Sequence, residues 1–191
     1  FDARAYRMPG MARATIFEVD HPSTSTRKQR VVATAFGALP RHVRFVPIDF
    51  DAATLSSTMS AAGYDPSRRT LFVWEGVTNY LTAAAVDGTL RWCARATAGS
   101  TVLFTYVHRR VLESPETFDG TDRLFATLHA AGERWTFGLD PSSVPQFLAE
   151  RGLALDTDVG ASDYRARAFG PAALGMRGYE FYRIAVSHVS G

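Results

Sequence analysis

The sequence contains one lysine and one cysteine, and both scarcities narrow the classes of protein it can belong to. Lys28 is the only lysine among 21 basic residues, and 19 acidic residues leave a net charge of +2. Since a nucleic-acid-binding protein gathers its basic residues on one surface stripe, no nucleic-acid partner is expected. Cys93 alone cannot form an internal disulfide or a cysteine-rich metal site, which favours a reducing compartment and predicts a cytoplasmic location.

Signatures of membrane spans, metal sites and two common enzyme classes are also absent. No apolar run approaches the roughly 18 residues that cross a membrane, so no membrane partner is expected. Without spaced zinc ligands or a G-x-S-x-G elbow, we expect neither a metal nor a serine hydrolase. The G-x-G-x-x-G turn that cradles a dinucleotide pyrophosphate is missing as well, which argues against an NAD-dependent oxidoreductase.

What the sequence does contain is an alternation of apolar runs and helical patterns. The apolar runs are continuous, as in strands buried on both faces of a parallel sheet, and cover residues 14–19, 43–48, 70–74 and 101–107. Helical patterns cover residues 23–36, 51–62, 82–97 and 144–151. Two final strands, 153–159 and 179–189, predict an antiparallel hairpin at one sheet edge. The expected fold is α/β, a doubly wound and mostly parallel sheet in one domain of 191 residues.

Acidic residues follow three successive predicted strands. Asp20, Asp49 and Glu75 come at these strand ends, 29 and then 26 positions apart, which is close to one strand–helix repeat. Ligands of open α/β sheets bind outside the carboxyl ends of the strands. One carboxylate there can accept hydrogen bonds from a ribose diol, and a second can accept one from the adenine amine, with Phe50 as an apolar wall. The set suits an adenosine that carries a positive charge elsewhere.

Each of these residues also has a structural interpretation. Asp20 can belong to the loop and cap before a helix, Asp49 can cap a helix that starts near residue 51, and Glu75 can form an ion pair. We favour ligand binding because the three residues occur together at three successive strand ends.

Several segments together resemble the leucine carboxyl methyltransferase-like family of S-adenosylmethionine-dependent class I methyltransferases. In chain order they read FDARAYR, IFEVDHP, VRFVPIDF, LFVWEGVTNYL and ERWTFGLDP. The resemblance is strongest over residues 1–106 and implies a Rossmann-like fold with S-adenosyl-L-methionine as cofactor. In the family, FDARAYR follows a strand and a GAG turn, and an upstream region carries an arginine that meets the cofactor. Both would precede Phe1, so the resemblance implies an N-terminally incomplete domain without its first strand and cap.

The resemblance also implies roles for individual residues. Asp20 would hold the ribose, and Asp49 with Phe50 would hold the adenine. Glu75 would approach the methionine part of the cofactor, and Tyr80 would lie where the methyl group meets its acceptor.

The residues themselves add candidates on the acceptor side. Trp135 is expected to line the acceptor pocket or, alternatively, to serve as a lid or core aromatic. His108 follows the fourth strand and is the best-placed histidine for a general base, although no catalytic residue is assigned. The predicted function is O-methylation of a carboxylate or hydroxyl of a small metabolite, for example a natural-product intermediate. The alternatives are a non-catalytic methyltransferase-like binding or dimerisation module and, less favoured, an NAD-dependent oxidoreductase.

Overall fold

The chain divides into two units, Phe1–Asp65 and Pro66–Gly191, each built around its own β-sheet. The structure is a computed structural model, and it describes residues 2–49 and 54–191. We call the two parts the first unit and the second unit and describe each by itself.

The first unit holds a two-stranded parallel sheet flanked in sequence by short helices. Its elements are helix α1 (Arg4–Arg7), strand β1 (Ile16–Asp20), helix α2 (Pro22–Phe36), strand β2 (Val43–Pro47) and helix α3 (Leu55–Ala61). β1 and β2 are parallel, and Asp20 stands opposite Pro47 in their register. β2 falls within its predicted run, β1 extends one residue beyond its own to Asp20, and the pairing of the two strands confirms that this part of the sheet is parallel.

The helix starts of the first unit differ from the predicted ones. α2 begins at Pro22, whose fixed φ suits a first helical position, and the His21 ring caps it by accepting a hydrogen bond from Ser23 N–H at 3.4 Å. The run of serine and threonine that predicted the cap therefore lies inside the helix. α3 is capped by Thr54, whose hydroxyl accepts from Ser57 N–H at 3.3 Å.

The second unit carries a four-stranded mixed sheet. Its strands are β3 (Leu71–Trp74), β4 (Thr101–Val107), β5 (Leu153–Gly160) and β6 (Tyr182–Val189), and its helices are α4 (Ala83–Cys93), α5 (Arg110–Glu113), α6 (Thr121–Ala130), α7 (Val144–Ala149) and α8 (Ala161–Phe169). The strand order is β3-β4-β6-β5. β3 and β4 are parallel, whereas β6 is antiparallel to both β4 and β5. The predicted C-terminal hairpin is present, with β5 at the edge and β6 inserted beside β4.

Two clusters of buried side chains form the core of the second unit. The larger one includes Val86, Leu90 and Cys93, which confirms the predicted apolar face of α4. Burial raises the pKa of the Cys93 thiol to about 12, so this cysteine is an inert core residue. The smaller cluster surrounds Trp135 and Phe181. Among the described residues, no helix is long and apolar enough to cross a membrane.

The connection between β5 and β6 is the part of the fold that departs most from the sequence pattern. It contains α8 and a 3-10 helix, Gly170–Gly175, where an irregular segment was expected. β6 begins at Tyr182 rather than at residue 179. The aromatic residues that suggested the longer strand lie in another arrangement, with the Tyr179 ring stacked on Phe181 at 5.1 Å between centroids.

Candidate functional site

In the first unit, Asp20 and Asp49 follow neighbouring parallel strands at the same edge of the sheet. Ile48 N–H donates to the Asp20 carbonyl at 2.9 Å, so the two chains are still in register where the carboxylates begin. Asp20 Oδ1 accepts a hydrogen bond from His21 N–H at 2.8 Å, and Asp49 is exposed. Two carboxylates therefore lie at the carboxyl edge of β1 and β2, where α/β sheets bind ligands.

The structure supports the structural interpretation of these two aspartates to different degrees. Asp49 is not the cap of α3, because that helix starts at Leu55 with Thr54 as its cap. Asp20 does belong to a local turn through His21, but the helix cap itself is His21. Phe50, expected beside the adenine, lies outside the described residues.

In the second unit, Glu75 follows β3 in a loop that is fixed to the end of β4. Gly76 N–H donates to Thr105 Oγ1 at 2.8 Å, and Thr78 Oγ1 donates to the Thr105 carbonyl at 2.6 Å. Gly76 has a φ of +69°, a left-handed conformation that strains residues with a side chain. These contacts present Glu75, an exposed residue, at the carboxyl edge of the second sheet.

The structure brings Tyr80 and Trp135 together. Thr136 N–H donates to the Asn79 carbonyl at 2.8 Å, and Thr136 Oγ1 donates to the Leu81 carbonyl, also at 2.8 Å. These bonds set the Tyr80 and Trp135 rings edge to face at 6.4 Å between centroids. Tyr80 is 41% exposed and Trp135 only 6%, so Tyr80 offers the accessible surface while Trp135 supports it from the core.

The segment that carries Trp135 crosses closely over the end of β4. Leu139 N–H donates to the Val107 carbonyl at 3.0 Å, and Arg109 N–H donates to the Leu139 carbonyl at 2.9 Å. A Cβ at Gly138 would lie 2.9 Å from the Val107 carbonyl oxygen, so only glycine fits there.

His108 lies at the carboxyl end of β4 but is oriented as a hydrogen-bond donor. Its Nδ1 accepts from Arg110 N–H at 3.1 Å, and its own backbone N–H donates to the Phe181 carbonyl. Burial is the main cause that lowers the pKa of His108 below 6.5. Nearby positive charges also lower this pKa, whereas the negative charge of Asp140 raises it. In the neutral ring that accepts the hydrogen bond from Arg110 N–H at Nδ1, the proton lies on Nε2, which can donate a hydrogen bond.

An open pocket of about 360 Å³ adjoins His108. Arg109, Arg110, Glu113 and Asp140 line it together with His108. Hydrogen bonds from Ser142 lower the pKa of Asp140, so this carboxyl stays ionised near neutral pH.

Sequence reasoning missed one polar group at this sheet edge, formed by Tyr106, Asp158 and Arg183. The Tyr106 hydroxyl donates to Asp158 Oδ2 at 2.8 Å, and Arg183 Nε donates to the Tyr106 hydroxyl at 3.0 Å and to Asp158 Oδ1 at 3.1 Å. Burial, followed by the nearby Asp158 carboxylate, raises the pKa of Tyr106. The available signal was the presence of charged residues inside two predicted strands, Asp156 and Asp158 in β5 and Arg183 in β6. Among the described residues, no group of three or more histidine, cysteine, aspartate or glutamate side chains could hold a metal ion.

Comparison with known proteins identifies relatives in sequence. Residues 1–94 match the family model described as leucine carboxyl methyltransferase. A protein of Mycobacterium avium (strain 104), assigned by name to the S-adenosyl-L-methionine-dependent methyltransferases, is 34% identical over 144 residues, which cover 70% of this chain and 47% of the relative. The chain spans about half the length of the curated relatives it matches.

Solved structures resemble the chain in fold. A methyltransferase from Mesorhizobium loti, described as S-adenosylmethionine dependent, aligns with a TM-score of 0.60 at 12% identity, covering 92% of this chain and 80% of that one. An O-methyltransferase from neocarzinostatin biosynthesis, solved with S-adenosylmethionine and 2-hydroxy-5-methyl naphthoic acid, aligns with a TM-score of 0.51 at 14% identity, covering 91% and 41%. At such identities the likeness concerns the fold alone, and it confirms the predicted Rossmann-like α/β class.

Proposed function

This chain belongs to the leucine carboxyl methyltransferase-like family of S-adenosylmethionine-dependent methyltransferases, and we propose that it binds S-adenosyl-L-methionine and methylates an oxygen of a small molecule. The acceptor oxygen is a carboxylate or a hydroxyl of a metabolite, for example an intermediate of a natural-product pathway. We further propose a cytoplasmic location, in keeping with a lone, buried cysteine.

The observation that carries this proposal is the pair of carboxylates at the edge of the first unit. Asp20 and Asp49 follow strands that are still hydrogen-bonded where the carboxylates begin. In our proposal Asp20 accepts hydrogen bonds from the ribose hydroxyls, and Asp49 accepts one from the adenine amine, with Phe50 beside the base. Each pairing joins an ionised acceptor to neutral donors, which gives stronger hydrogen bonds than two neutral groups form.

For the second unit by itself, we propose roles for three further residues. Glu75 is assigned to the positively charged methionine part of the cofactor, and Tyr80, supported from the core by Trp135, is assigned to the acceptor. When bound, S-adenosyl-L-methionine would supply an electrophilic methyl group, whose bond to the sulfonium sulfur would break as the acceptor oxygen bonds to the methyl carbon in line, leaving S-adenosylhomocysteine. The aromatic pair supports this assignment because Tyr80 is exposed and its ring is fixed by the backbone contacts of Asn79 and Leu81.

The state of His108 favours a carboxylate over a hydroxyl as the acceptor. A hydroxyl must lose a proton to a base, whereas a carboxylate is already ionised at neutral pH. His108 holds its proton on Nε2 and engages Nδ1 with Arg110 N–H, so it offers a donor where a hydroxyl acceptor would need a base.

The test is calorimetric titration of the intact protein with S-adenosylhomocysteine. We expect Asp20→Ala and Asp49→Ala each to weaken binding about tenfold or more, since each loses charge-assisted hydrogen bonds. Asp122→Ala, which removes an exposed carboxylate at the start of α6, is the matched control and should bind as the unaltered chain does.

Three outcomes would contradict the proposal. Absence of binding by the unaltered chain would overturn cofactor binding, and equal binding by all three variants would overturn the assignment of Asp20 and Asp49. Cofactor binding without methyl transfer to any member of a panel of carboxylic acids and phenols, followed by mass spectrometry, would favour a non-catalytic binding module.

A further inference from the structure

Three strands of the second unit bring Tyr106, Asp158 and Arg183 together at the carboxyl edge of β4 and β5. Tyr106 in β4 stands directly opposite Arg183 in β6, and Asp158 lies in β5 on the other side of β6. Tyr106 is 1% exposed, and the Asp158 side chain is 10% exposed. Ligands of α/β sheets bind at this edge, so the cluster lies where a binding group would be useful.

The way Arg183 is held leaves most of its guanidinium uncommitted. Its hydrogen bonds to Tyr106 and Asp158 all start from Nε. Within residues 2–49 and 54–191, neither terminal nitrogen of Arg183 has a hydrogen bond, and the side chain is 21% exposed. An arginine that serves only an ion pair commonly offers two parallel N–H groups to its carboxylate. Here the two terminal nitrogens remain for another partner.

The space beside the terminal nitrogens is kept open by Gly160. A Cβ at this position would lie 3.2 Å from Nη1 of Arg183 and 3.6 Å from Oδ2 of Asp163. That Asp163 carboxylate already accepts the Gly160 N–H at 2.8 Å, and it closes one side of the space. A ligand would therefore approach the guanidinium from the side away from Asp163.

The geometry also reduces the conformational entropy that the Arg183 side chain would lose on binding a ligand. Two partners fix the Arg183 side chain before any ligand arrives, so its rotamers need not be ordered on binding. Asp158 accepts a hydrogen bond from the neutral Tyr106 hydroxyl as well as from Arg183. The positive charge of Arg183 lowers the pKa of His108, though less than burial does.

We propose that Arg183 binds the carboxylate of a small organic acid through its two terminal nitrogens, with Tyr106 and Asp158 as positioning residues. A carboxylate is planar and presents two oxygens at the spacing of two guanidinium N–H groups, which a tetrahedral anion matches less well. This inference rests on the proposed function in one respect, since it takes that acid to be the methyl acceptor.

The test follows the side-chain Nε–H signals of arginine by nuclear magnetic resonance in the 15N-labelled chain. The Arg183 signal is identified by its loss in Arg183→Lys. Sodium benzoate is the probe, and benzamide provides the same ring without the charge. We expect benzoate to shift the Arg183 signal in a saturable manner and benzamide to bind at least about tenfold more weakly.

Variants distinguish binding by the two terminal nitrogens of the guanidinium from binding by its positive charge alone. Arg183→Lys keeps the charge but loses the fork, and Gly160→Ala narrows the space beside Nη1, so benzoate binding, followed by backbone amide shifts, should weaken about tenfold or more in each. Arg95→Gln removes an exposed arginine of the same unit and should leave benzoate binding unchanged. The amide spectrum of each variant shows whether it has folded.

Several results would overturn the proposal. They are the lack of a saturable shift with benzoate, equal binding of benzamide, equally tight binding of inorganic phosphate, and unchanged binding in a folded Arg183→Lys variant. A chain that binds S-adenosylhomocysteine but not benzoate refutes the role of Arg183 and leaves the proposed function standing. A chain that binds benzoate at Arg183 but not S-adenosylhomocysteine refutes the proposed function and supports the anion site.

Discussion

An ion pair with a tyrosine beside it occurs in each unit, and these two pairs are built differently. In the first unit, Lys28 Nζ lies 2.9 Å from Glu18 Oε2, with side chains only 10% and 13% exposed. Lys28 also lies 5.6 Å from the centre of the Tyr6 ring. In the second unit, Arg183 shares one nitrogen between Tyr106 and Asp158 and keeps its terminal nitrogens available.

The tyrosines show the same contrast. The Tyr106 hydroxyl donates to one partner and accepts from the other. The Tyr6 hydroxyl is buried near Glu18, but without the geometry of a hydrogen bond. The first pair joins α2 to β1 and leaves neither charged group for another partner, so we call it the closed pair. Among the described residues, the second pair engages only Nε of Arg183 and leaves the two terminal nitrogens available, so we call it the open pair. Similar residues thus give a structural element in one unit and a candidate binding element in the other.

The largest expected effect comes from breaking the closed pair. Lys28→Met leaves the Glu18 carboxylate buried without its cation, and we expect the free energy of unfolding in urea to fall by about 3–5 kcal/mol. The double variant Lys28→Met/Glu18→Met removes both charges and should recover most of that loss. A loss below about 1 kcal/mol in the single variant would show that the pair is not desolvated.

A smaller loss is expected when the open pair is broken. Arg183→Met leaves Asp158 with its hydrogen bond from Tyr106, and solvent reaches this pair more readily, so we expect about 2–3 kcal/mol in the same measurement. Arg95→Gln serves as the control for removing an arginine. A cost larger than that of Lys28→Met would reverse the comparison between the two pairs.

The two tyrosines should respond unequally to loss of the hydroxyl. Tyr106→Phe removes two hydrogen bonds and should cost about 1–2 kcal/mol of unfolding free energy. Tyr6→Phe removes a hydroxyl that forms none, so the change should stay within about 0.5 kcal/mol. Equal losses in the two variants would mean that the Tyr6 hydroxyl is as well paired as that of Tyr106.

The smallest expected effect is a loss of stability at alkaline pH, to which a tyrosine of each unit should contribute. Burial is the main cause that raises the pKa of Tyr6 and Tyr106 above the ordinary value of 10.0, and the neighbouring carboxylates add to it. A raised pKa stabilises the fold fully below pH 10 and progressively less as the pH rises towards the raised value. Melting temperatures from about pH 8 to pH 11 should therefore fall, and less steeply in each phenylalanine variant. An unchanged slope in both variants would assign the alkaline loss to other groups.

Strands were predictable from the sequence because each is a short, continuous apolar run closed by polar residues. β4 has the predicted bounds, and the other strands of the parallel pairs differ by one or two residues at their ends. α8 was missed because its alternating alanine and arginine show little apolar periodicity. Tyr179 was assigned to a strand because its residue type favours one, but its ring stacks on Phe181 instead.

The candidate site was predictable only where it depends on strand ends. Asp20 and Asp49 could be placed together because parallel strands end at one edge. The contact between Tyr80 and Trp135 depends on backbone hydrogen bonds of Asn79 with Thr136, which no local pattern encodes. The cluster around Arg183 depends on the register of three strands that are distant in sequence.

Gly138 has a consequence for how the segment that carries Trp135 can vary in sequence. The segment around it is fixed on both sides, by Thr136 to the Asn79 carbonyl and by Leu139 to the Val107 carbonyl. A residue inserted or deleted between these anchors would move glycine away from the one place that admits no Cβ. Exchanging side chains at Tyr80 and Trp135, the residues we propose for the acceptor side, leaves these anchors in place, whereas changing the length of this segment does not. A library that varies residue identity there should retain folded members, whereas one that varies segment length should not.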